Sequence, residues 1–231
     1  MLDWWVASSS LLVAWLRGDP ESMRGLSRVA PLYEAQGVVF LLPAPGEPVV
    51  ADVAVLPREG SPEGLLYDYS VVRASRIVRK PGFRESLFDA LSGPRGFFRS
   101  LVIGLDPGRE CGASVIGDGF LLDASRMPCG EVGGYARGIL ADAPYRVYSI
   151  YLGNGPGFED AAASLSGEGL EYTVLEEGYT TRGPLPGGSL VKDKDILASI
   201  RIAYKGVYGG DWVARRVPRG HRSREGAWGT V

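Results

Sequence analysis

One stretch, LVIGLDPGRECGASVIGDGFLLDAS from Leu101 to Ser125, constrains the fold more than any other part of the chain. It opens on a continuous apolar run that ends in Asp106, a pattern typical of a strand buried on both faces of a sheet. The apolar segments GASVIG and FLLDAS then flank the pair Asp118-Gly119, which is a strong hairpin signal. We therefore predict a central strand followed by two antiparallel partners.

The segments that follow the hairpin alternate between helical and strand patterns. Their periodicity predicts helices over GEVGGYARGILAD, GFEDAAASLSG and DKDILASIRIAYKG, and strands over RVYSIYLG and EYTVLE. The order of elements from Leu101 to Gly206 is therefore βββαβαβα. This order indicates an α/β fold in which a mixed sheet carries helices on both faces.

Weaker patterns precede the segment LSGPRGFFRS, where a proline and two glycines break any helix. The elements predicted here are a helix through residues 4–16, strands near 37–42, 48–56 and 66–72, and a helix near 83–91. The patterns indicate three parts of the chain: a small α+β N-terminal domain of unknown role over residues 1–97, the α/β domain over 98–210 and a basic tail over 211–231.

Composition and charge narrow the class of protein. A chain of 231 residues, 45% of them hydrophobic, can bury a substantial core, and a net charge of -2 argues against a general polyanion binder. The apolar stretch from Trp4 to Leu16 is too short to span a bilayer, and Asp3 stands where a signal peptide carries basic residues. We therefore expect a cytoplasmic chain with no membrane partner.

Positive charge is concentrated in two arginine-rich stretches, one over residues 73–99 and one in the tail. A general preference for arginine explains the same stretches, because the chain has only four lysines. Its only side-chain amides are Asn154 and Gln36, and a scarcity of such thermolabile residues indicates a thermophile. Because arginine forks match phosphate, six residues are candidates for nucleic-acid binding: Arg79, Lys80, Arg215, Arg216, Arg219 and Arg222.

The two cysteines, Cys111 and Cys129, are too few for a disulfide scaffold or a zinc site, and the lone His221 does not complete one. A hairpin centred on residues 118–119 pairs Cys111 with about Arg126, so the two sulfurs can lie near each other without being directly opposed. A bridge requires a host that tolerates intracellular disulfides. The pattern therefore leaves open whether these cysteines are joined.

Three motifs occur in the order in which one known superfamily has them. IGLDPGRECGASVIGDG resembles the opening strand, the aspartate and the glycine-bearing loop of the RNase H-like superfamily. TVLEEGYTT and DILASIRIAY resemble a later strand and the final helix of its YqgF group. Roughly the last 130 residues of the chain thus resemble the RuvC and YqgF group of resolvase-like nucleases.

The resemblance implies a metal-dependent site. It assigns Asp106, Glu177 and Asp195 as catalytic ligands of Mg2+ or Mn2+, with Asp193 and Glu176 as further candidates. Carboxylates suit these hard ions, and two such ions can hydrolyse a phosphodiester. Asp193 and Asp195 point about 200° apart if both lie on one helix, an objection that relaxes if the helix starts after Asp193.

One position departs from the RuvC pattern. In RuvC-type resolvases the strand after the first helix ends in a catalytic glutamate, whereas here it ends in Gly153 and Asn154. The YqgF group has a glycine-rich turn at that place, so the arrangement resembles YqgF more closely. Tight turns are one explanation of such glycines. The alternative is that the loops contact phosphate, and the candidate residues for this contact are Gly108, Gly112, Asn154 and Gly155.

The leading hypothesis is a metal-dependent endonuclease that acts on structured or branched DNA or RNA, and homodimers are common among resolvase-like nucleases. A non-catalytic RNase H-like module that binds nucleic acid or protein is an alternative, because each carboxylate also has an ordinary role at a turn or a helix start. A lesser alternative is an actin-like ATPase half. IGLDPGRECGASVI also resembles the first phosphate loop of that superfamily, although the chain has no second copy of the loop.

Overall fold

A computed structural model of the chain describes residues 10–57, 69–175, 191–208 and 215–217. Within these ranges the chain forms ten strands in two sheets and five α-helices, and none of these helices is both long and apolar enough to cross a membrane. The strands are β1 (Leu11–Trp15), β2 (Val38–Leu41), β3 (Val49–Val55), β4 (Val72–Val78), β5 (Phe98–Pro107), β6 (Cys111–Gly117), β7 (Phe120–Met127), β8 (Tyr145–Gly153), β9 (Tyr172–Leu175) and β10 (Arg215–Val217). The helices are α1 (Pro20–Glu34), α2 (Phe83–Leu91), α3 (Val132–Asp142), α4 (Phe158–Gly167) and α5 (Lys194–Tyr208).

The first sheet consists of four parallel strands in the order β2-β1-β3-β4. Parallel pairing throughout makes this unit α/β rather than the α+β unit that the sequence predicted. The strands near 37–42 and 48–56 and the helix near 83–91 are confirmed as β2, β3 and α2. The strand expected near 66–72 begins only at Val72, and residues 58–68 lie outside the described ranges.

The helix predicted through residues 4–16 is wrong where the structure describes it, because Leu11–Trp15 forms β1. Val13 packs into one hydrophobic cluster and Ala14 into another, so both faces of this strand are covered. A strand covered on both faces is a continuous apolar run, which periodicity does not distinguish from a buried helix. Residues 4–9 lie outside the described ranges.

Helix α1 was not predicted. Asp19 caps its N-terminus by accepting a hydrogen bond from the Ser22 N–H at 2.9 Å, and Pro20 occupies the first helical position. Both features are recognised signals for the start of a helix. Gly25 and Pro31 lie inside the helix and weaken its pattern, because both residue types have low helix propensity.

The second sheet has six strands in the order β10-β9-β8-β5-β6-β7. Strands β5, β8 and β9 are parallel, β6 is antiparallel to both β5 and β7, and β10 is antiparallel to β9. The elements from β5 to α5 follow the predicted order βββαβαβα. Leu105 of β5 belongs to the cluster that includes α3 and α4, whereas Val102 packs with α5. Helices therefore cover both faces of this sheet, as predicted.

The turn between β6 and β7 confirms the predicted hairpin. Asp118 and Gly119 have φ angles of 47° and 93°, and two positive values in succession are what a type I′ turn requires. The Asp118 carboxylate also accepts hydrogen bonds from the backbone N–H groups of Arg99 at 3.0 Å and Ser100 at 2.9 Å. The turn is thereby held against the start of β5.

A bulge in β7 changes the register of this hairpin. Leu122 has no partner on β6, so every pair beyond it is displaced by one residue. Cys111 consequently pairs with Met127, and the predicted pairing with about Arg126 was one residue off. A bulge of this kind leaves no clear local signal in the sequence.

Cys111 and Cys129 form a disulfide with their Cα atoms 5.0 Å apart. The bridge joins the start of β6 to a 3-10 turn, Cys129–Glu131, that leads into α3. Both cysteines are buried in the core. The disulfide therefore ties the central hairpin to the helices on one face of the sheet.

Replacing both cysteines with alanine is expected to lower the free energy of unfolding by about 3 kcal/mol, because the bridge closes a loop with a sequence separation of 18 residues. Urea denaturation of the oxidised wild type and of the double variant measures this difference. A reductant that reaches the bridge should move the wild type toward the variant and leave the variant unchanged. Equal midpoints for the oxidised wild type and the variant would contradict the prediction.

The two sheets share one hydrophobic core. Val13 and Trp15 of the first sheet belong to the same buried cluster as Leu101 and Ile103 of the second. The predicted domain boundary at residues 97–98 therefore lies between two sheets whose buried side chains form one core.

Helix α1 of the first unit also covers the β7 edge of the second sheet. The Tyr33 hydroxyl donates a hydrogen bond to the carbonyl of Leu122, the residue that the bulge leaves without a strand partner. Burial raises the pKa of Tyr33 above its usual value, so the hydroxyl remains a donor at neutral pH. The Gln36 side chain donates to the Leu121 carbonyl at 3.2 Å and accepts from its N–H at 2.8 Å, as a neighbouring strand would. These bonds protect an edge strand from pairing with another chain.

Candidate functional site

Several elements of the second sheet end or begin at one edge. Because β5, β8 and β9 are parallel, Asp106, Gly153 and Leu175 at or near their carboxyl ends lie at the same edge. Strand β7 ends and β6 begins there, since β6 is antiparallel to both of its neighbours. Residues that are far apart in sequence are thereby brought together.

Asp106, Gly112 and Arg126 lie side by side across β5, β6 and β7. Directly opposed residues of neighbouring strands point to the same face of a sheet. That face carries α5, because a Cβ on Gly112 would lie less than 3.0 Å from the Asp195 carbonyl oxygen. Only a glycine at this position allows the helix to approach so closely. Asp106 therefore shares both an edge and a face of the sheet with the start of α5.

The start of α5 explains how two aspartates reach one partner. Asp193 precedes the helix and caps it, since its Oδ1 accepts hydrogen bonds from the N–H groups of Asp195 at 2.9 Å and Ile196 at 3.3 Å. The objection that Asp193 and Asp195 point in opposite directions along a helix does not apply, because Asp193 is not a helical residue. Both carboxylates contact Arg126.

The Arg126 guanidinium directs each of its three nitrogens at a different carboxylate. Nη1 lies 3.0 Å from Asp193 Oδ2, Nε lies 3.8 Å from Asp195 Oδ2, and Nη2 is hydrogen-bonded to Glu110. The hydrogen bonds to Asp193 and Glu110 raise the pKa of Arg126, and the hydrogen bond from Arg126 lowers the pKa of Asp193. Arg126 and Asp193 therefore stabilise each other in their charged forms.

Neither Arg126 nor Glu110 was predicted from the sequence as a site residue. A partial signal was present, because the predicted hairpin already placed Arg126 close to Cys111. Glu110 lies in the short loop between β5 and β6, directly before that cysteine. The sequence did not reveal the position of α5, a helix from a distant part of the chain that packs across these strands.

The carboxylates at this edge are hard oxygen donors of the kind that Mg2+ and Mn2+ prefer. Within the described ranges no group of three His, Cys, Asp or Glu residues could hold a metal ion. Glu176 and Glu177, two of the predicted ligands, lie outside those ranges. The donors present fit such an ion in kind, but within the described ranges they do not form a complete ligand set.

The two glycine-rich loops at this edge contact each other. The Gly157 N–H donates to the Pro107 carbonyl at 3.3 Å, and a Cβ on Gly157 would meet the Gly108 carbonyl oxygen at 2.6 Å. Gly155 accepts a hydrogen bond from the Phe158 N–H in a turn at the start of α4, and Asn154 is exposed beside it. Tight turns and close packing therefore explain why glycines occur in these loops.

The candidate nucleic-acid-binding residues occupy different parts of the molecule. Arg79 follows β4 in the first unit and is exposed, and Lys80 lies 3.7 Å from Glu85 in an ion pair. Residues 215–216 belong to β10, at the far edge of the second sheet. Arg219 and Arg222 lie outside the described ranges. The described part of the chain therefore does not place these basic residues in one patch.

A cavity of about 820 Å³ lies at the opposite end of β5. Leu11 and Asp52 of the first unit and Phe98, Arg99 and Tyr204 of the second are among the residues that line it. Because Phe98 begins β5 and Asp106 is near its end, this cavity is separate from the carboxylate edge, which consists of Asp106, Glu110, Asp193 and Asp195.

Comparisons with known proteins do not assign the chain to a family. No protein-family model matches the sequence, and a search of curated proteins finds no match. The functional interpretation of the carboxylate edge consequently depends on the chemistry and placement of its own residues.

Proposed function

We propose that the protein is a divalent-metal-dependent nuclease of the RNase H-like, RuvC/YqgF type that acts on structured DNA or RNA. The observation that carries the proposal is the placement of Asp106 on the central strand, at the same sheet edge and on the same face as Asp195 at the start of α5. The order βββαβαβα and the mixed sheet with helices on both faces support it.

In this proposal Asp106, Asp195 and Glu177 hold Mg2+ or Mn2+, with Asp193 and Glu176 as neighbouring carboxylates. The ions would activate water and stabilise the leaving oxygen of a phosphodiester. The protein contributes the framework: close packing at Gly112 holds the first turn of α5 over the sheet, and the cap by Asp193 orients that turn. Strand β9 ends at Leu175, at the edge where Asp106 lies.

A second candidate is a non-catalytic RNase H-like module that binds nucleic acid or protein. The ion pairs of Arg126 with Asp193 and Asp195 favour it, because they already neutralise negative charge that would otherwise be available to bind a metal ion. Gly153 at the end of β8 favours it too, since RuvC-type resolvases have a catalytic glutamate there.

Calorimetric titration of Mn2+ into the wild type and into Asp106→Asn tests the proposal. We expect binding in the wild type and its loss in the variant, because the amide removes a charged ligand. Mn2+-dependent cleavage of a panel of branched DNA, linear DNA and structured RNA is expected to fall at least about 100-fold in the same variant.

Asp142→Asn is the matched control. Asp142 forms a partly exposed ion pair with Arg84 and ends α3, next to the start of β8 and thus away from the carboxylate edge. This substitution should leave Mn2+ binding and cleavage unchanged. If the wild type binds no Mn2+, the nuclease proposal is wrong and the non-catalytic module takes its place.

A further inference from the structure

We infer that the cavity at the start of β5 is a binding site for a small organic anion with an aromatic body. The cavity has a volume of about 820 Å³, and ligand pockets usually measure about 300–1,000 Å³. Its walls come from both units of the chain, and pockets occur preferentially where two such units meet. The inference does not depend on the proposed function, because none of the four carboxylates of the carboxylate edge lines this cavity.

The apolar part of the wall suits a flat ring. The second sheet contributes Val102 and Ile116, which are buried, and the end of α5 contributes Val207, which is 42% exposed. Phe98 and Phe120 add aromatic side chains to the lining. Apolar and aromatic surfaces of this kind stabilise a bound ring, because the ring is removed from water and can pack against other rings.

Two arginines line the cavity, and they differ in their partners. Arg95 Nη1 lies 3.1 Å from Asp118 Oδ2 in an ion pair, and the same carboxylate accepts the backbone hydrogen bonds from Arg99 and Ser100. The charges of Arg95 and Asp118 therefore compensate each other. Arg99 is exposed, and within the described part of the chain no carboxylate pairs with its guanidinium. Arg99 thus leaves one uncompensated positive charge at this wall.

The polar groups of the lining define what the ligand must carry. The planar fork of Arg99 matches a carboxylate or a phosphate group. Asp52 of the first unit also lines the cavity, and its Oδ2 accepts a hydrogen bond from the Leu12 N–H at 2.8 Å. Its Oδ1 has no partner within the described ranges, so it can accept an N–H and would repel a second anionic group. The ligand therefore needs an anionic group for Arg99 and an N–H group on its ring. Indole carboxylates and adenine nucleotides share this chemistry.

Titrations of the 15N-labelled full chain with two matched pairs of probes, followed by NMR, test the inference. The pairs are indole-3-acetate against indole and AMP against adenosine, and EDTA in every sample keeps the result independent of any divalent ion. We expect one of the two anions to bind at least about 10-fold more tightly than its neutral counterpart, because a charge-assisted hydrogen bond to Arg99 is added. The backbone N–H signals of Arg99, Ser100 and Gly119 should shift on binding. The anion that binds more tightly identifies the source of the ligand, a carboxylate or a nucleotide.

Three results of these titrations would overturn the inference. The first is that neither anion shows saturable binding up to about 10 mM. The second is that each anion binds no more tightly than its neutral counterpart, since the positive wall would then play no part. The third is that the signals of Gly112 and Arg126 shift in place of those around the cavity, since binding would then occur at the carboxylate edge.

Variants of the lining separate the charge from the shape of the cavity. Arg99→Gln should weaken binding of the anion at least about 10-fold and leave the neutral probe unchanged. Val207→Glu places a negative charge on the wall at a partly exposed position and should weaken the anion in the same direction. Arg84→Gln is the matched control, because it removes an arginine paired with Asp142 elsewhere on the surface, and it should have no effect. Thermal unfolding verifies that each variant is folded, and Val207→Glu replaces Arg99→Gln if the glutamine variant does not fold. Wild-type affinity for the anion in a folded Arg99→Gln protein would overturn the assignment of the cavity to an anion.

Discussion

Gly112→Ala is expected to lower the free energy of unfolding by about 3 kcal/mol or more. The added Cβ would lie less than 3.0 Å from the Asp195 carbonyl oxygen, and this neighbour is helix backbone that cannot rotate away. Helix α5 must then move off β6, which also takes Asp193 and Asp195 away from Arg126. Urea denaturation measures the loss of stability, and weaker Mn2+ binding in calorimetry would accompany it if the proposed function is right.

Gly134→Ala is the matched control for this substitution. Gly134 is exposed in α3, and a Cβ there would meet nothing within 4 Å. Since alanine has the higher helix propensity, this variant should gain up to about 1 kcal/mol. A Gly112→Ala protein as stable as the wild type would show that α5 does not rest on β6 as described.

Arg17→Met is expected to lower the free energy of unfolding by about 3–5 kcal/mol, because it removes one partner of a buried ionic network. The side chain is only 10% exposed, and its Nε lies 3.3 Å from Asp19 Oδ2. Its other nitrogens donate to three carbonyls and one hydroxyl at 2.9–3.2 Å, those of Lys80, Pro81, Gly82 and Ser86. Methionine fills a similar volume and supplies none of these bonds, so buried acceptors lose their donor.

Arg137→Met provides the comparison, because Arg137 pairs with Glu168 at the surface and its side chain is 58% exposed. An exposed pair of this kind contributes no more than about 1 kcal/mol. Chemical denaturation of both variants measures the contrast. Equal losses in the two proteins would refute the structural role of Arg17 in joining the end of β1 to the loop before α2.

Local patterns predicted those elements whose environment is uniform along their length. The apolar run ending in Asp106 became β5, with helices on both faces, because a strand buried on two sides requires apolar residues at nearly every position. Asp118-Gly119 became the hairpin turn because this pair accepts two positive φ angles. The helix predicted over Leu11–Trp15 was wrong, because a short apolar run fits a strand and a buried helix equally well.

The candidate site was predictable only in part. Asp106, Asp193 and Asp195 were identified from their motifs, and the structure brings all three to one edge of the second sheet. Arg126 was not identified, because its role depends on the packing of α5 across β6 and on a bulge that shifts the register of β7. Neither feature is encoded in a short window of sequence.

The sequence by itself determined the order of elements from β5 to α5, the hairpin and the acidic residues that carry the proposed chemistry, since each depends on neighbours a few positions away. Only the tertiary structure decided that the first sheet is parallel, that the two sheets share a core, and that Arg126 meets the two aspartates at the start of α5. These features depend on contacts between distant segments. The free energy of such contacts comes from close packing and charge pairing, which exist only once the chain has folded.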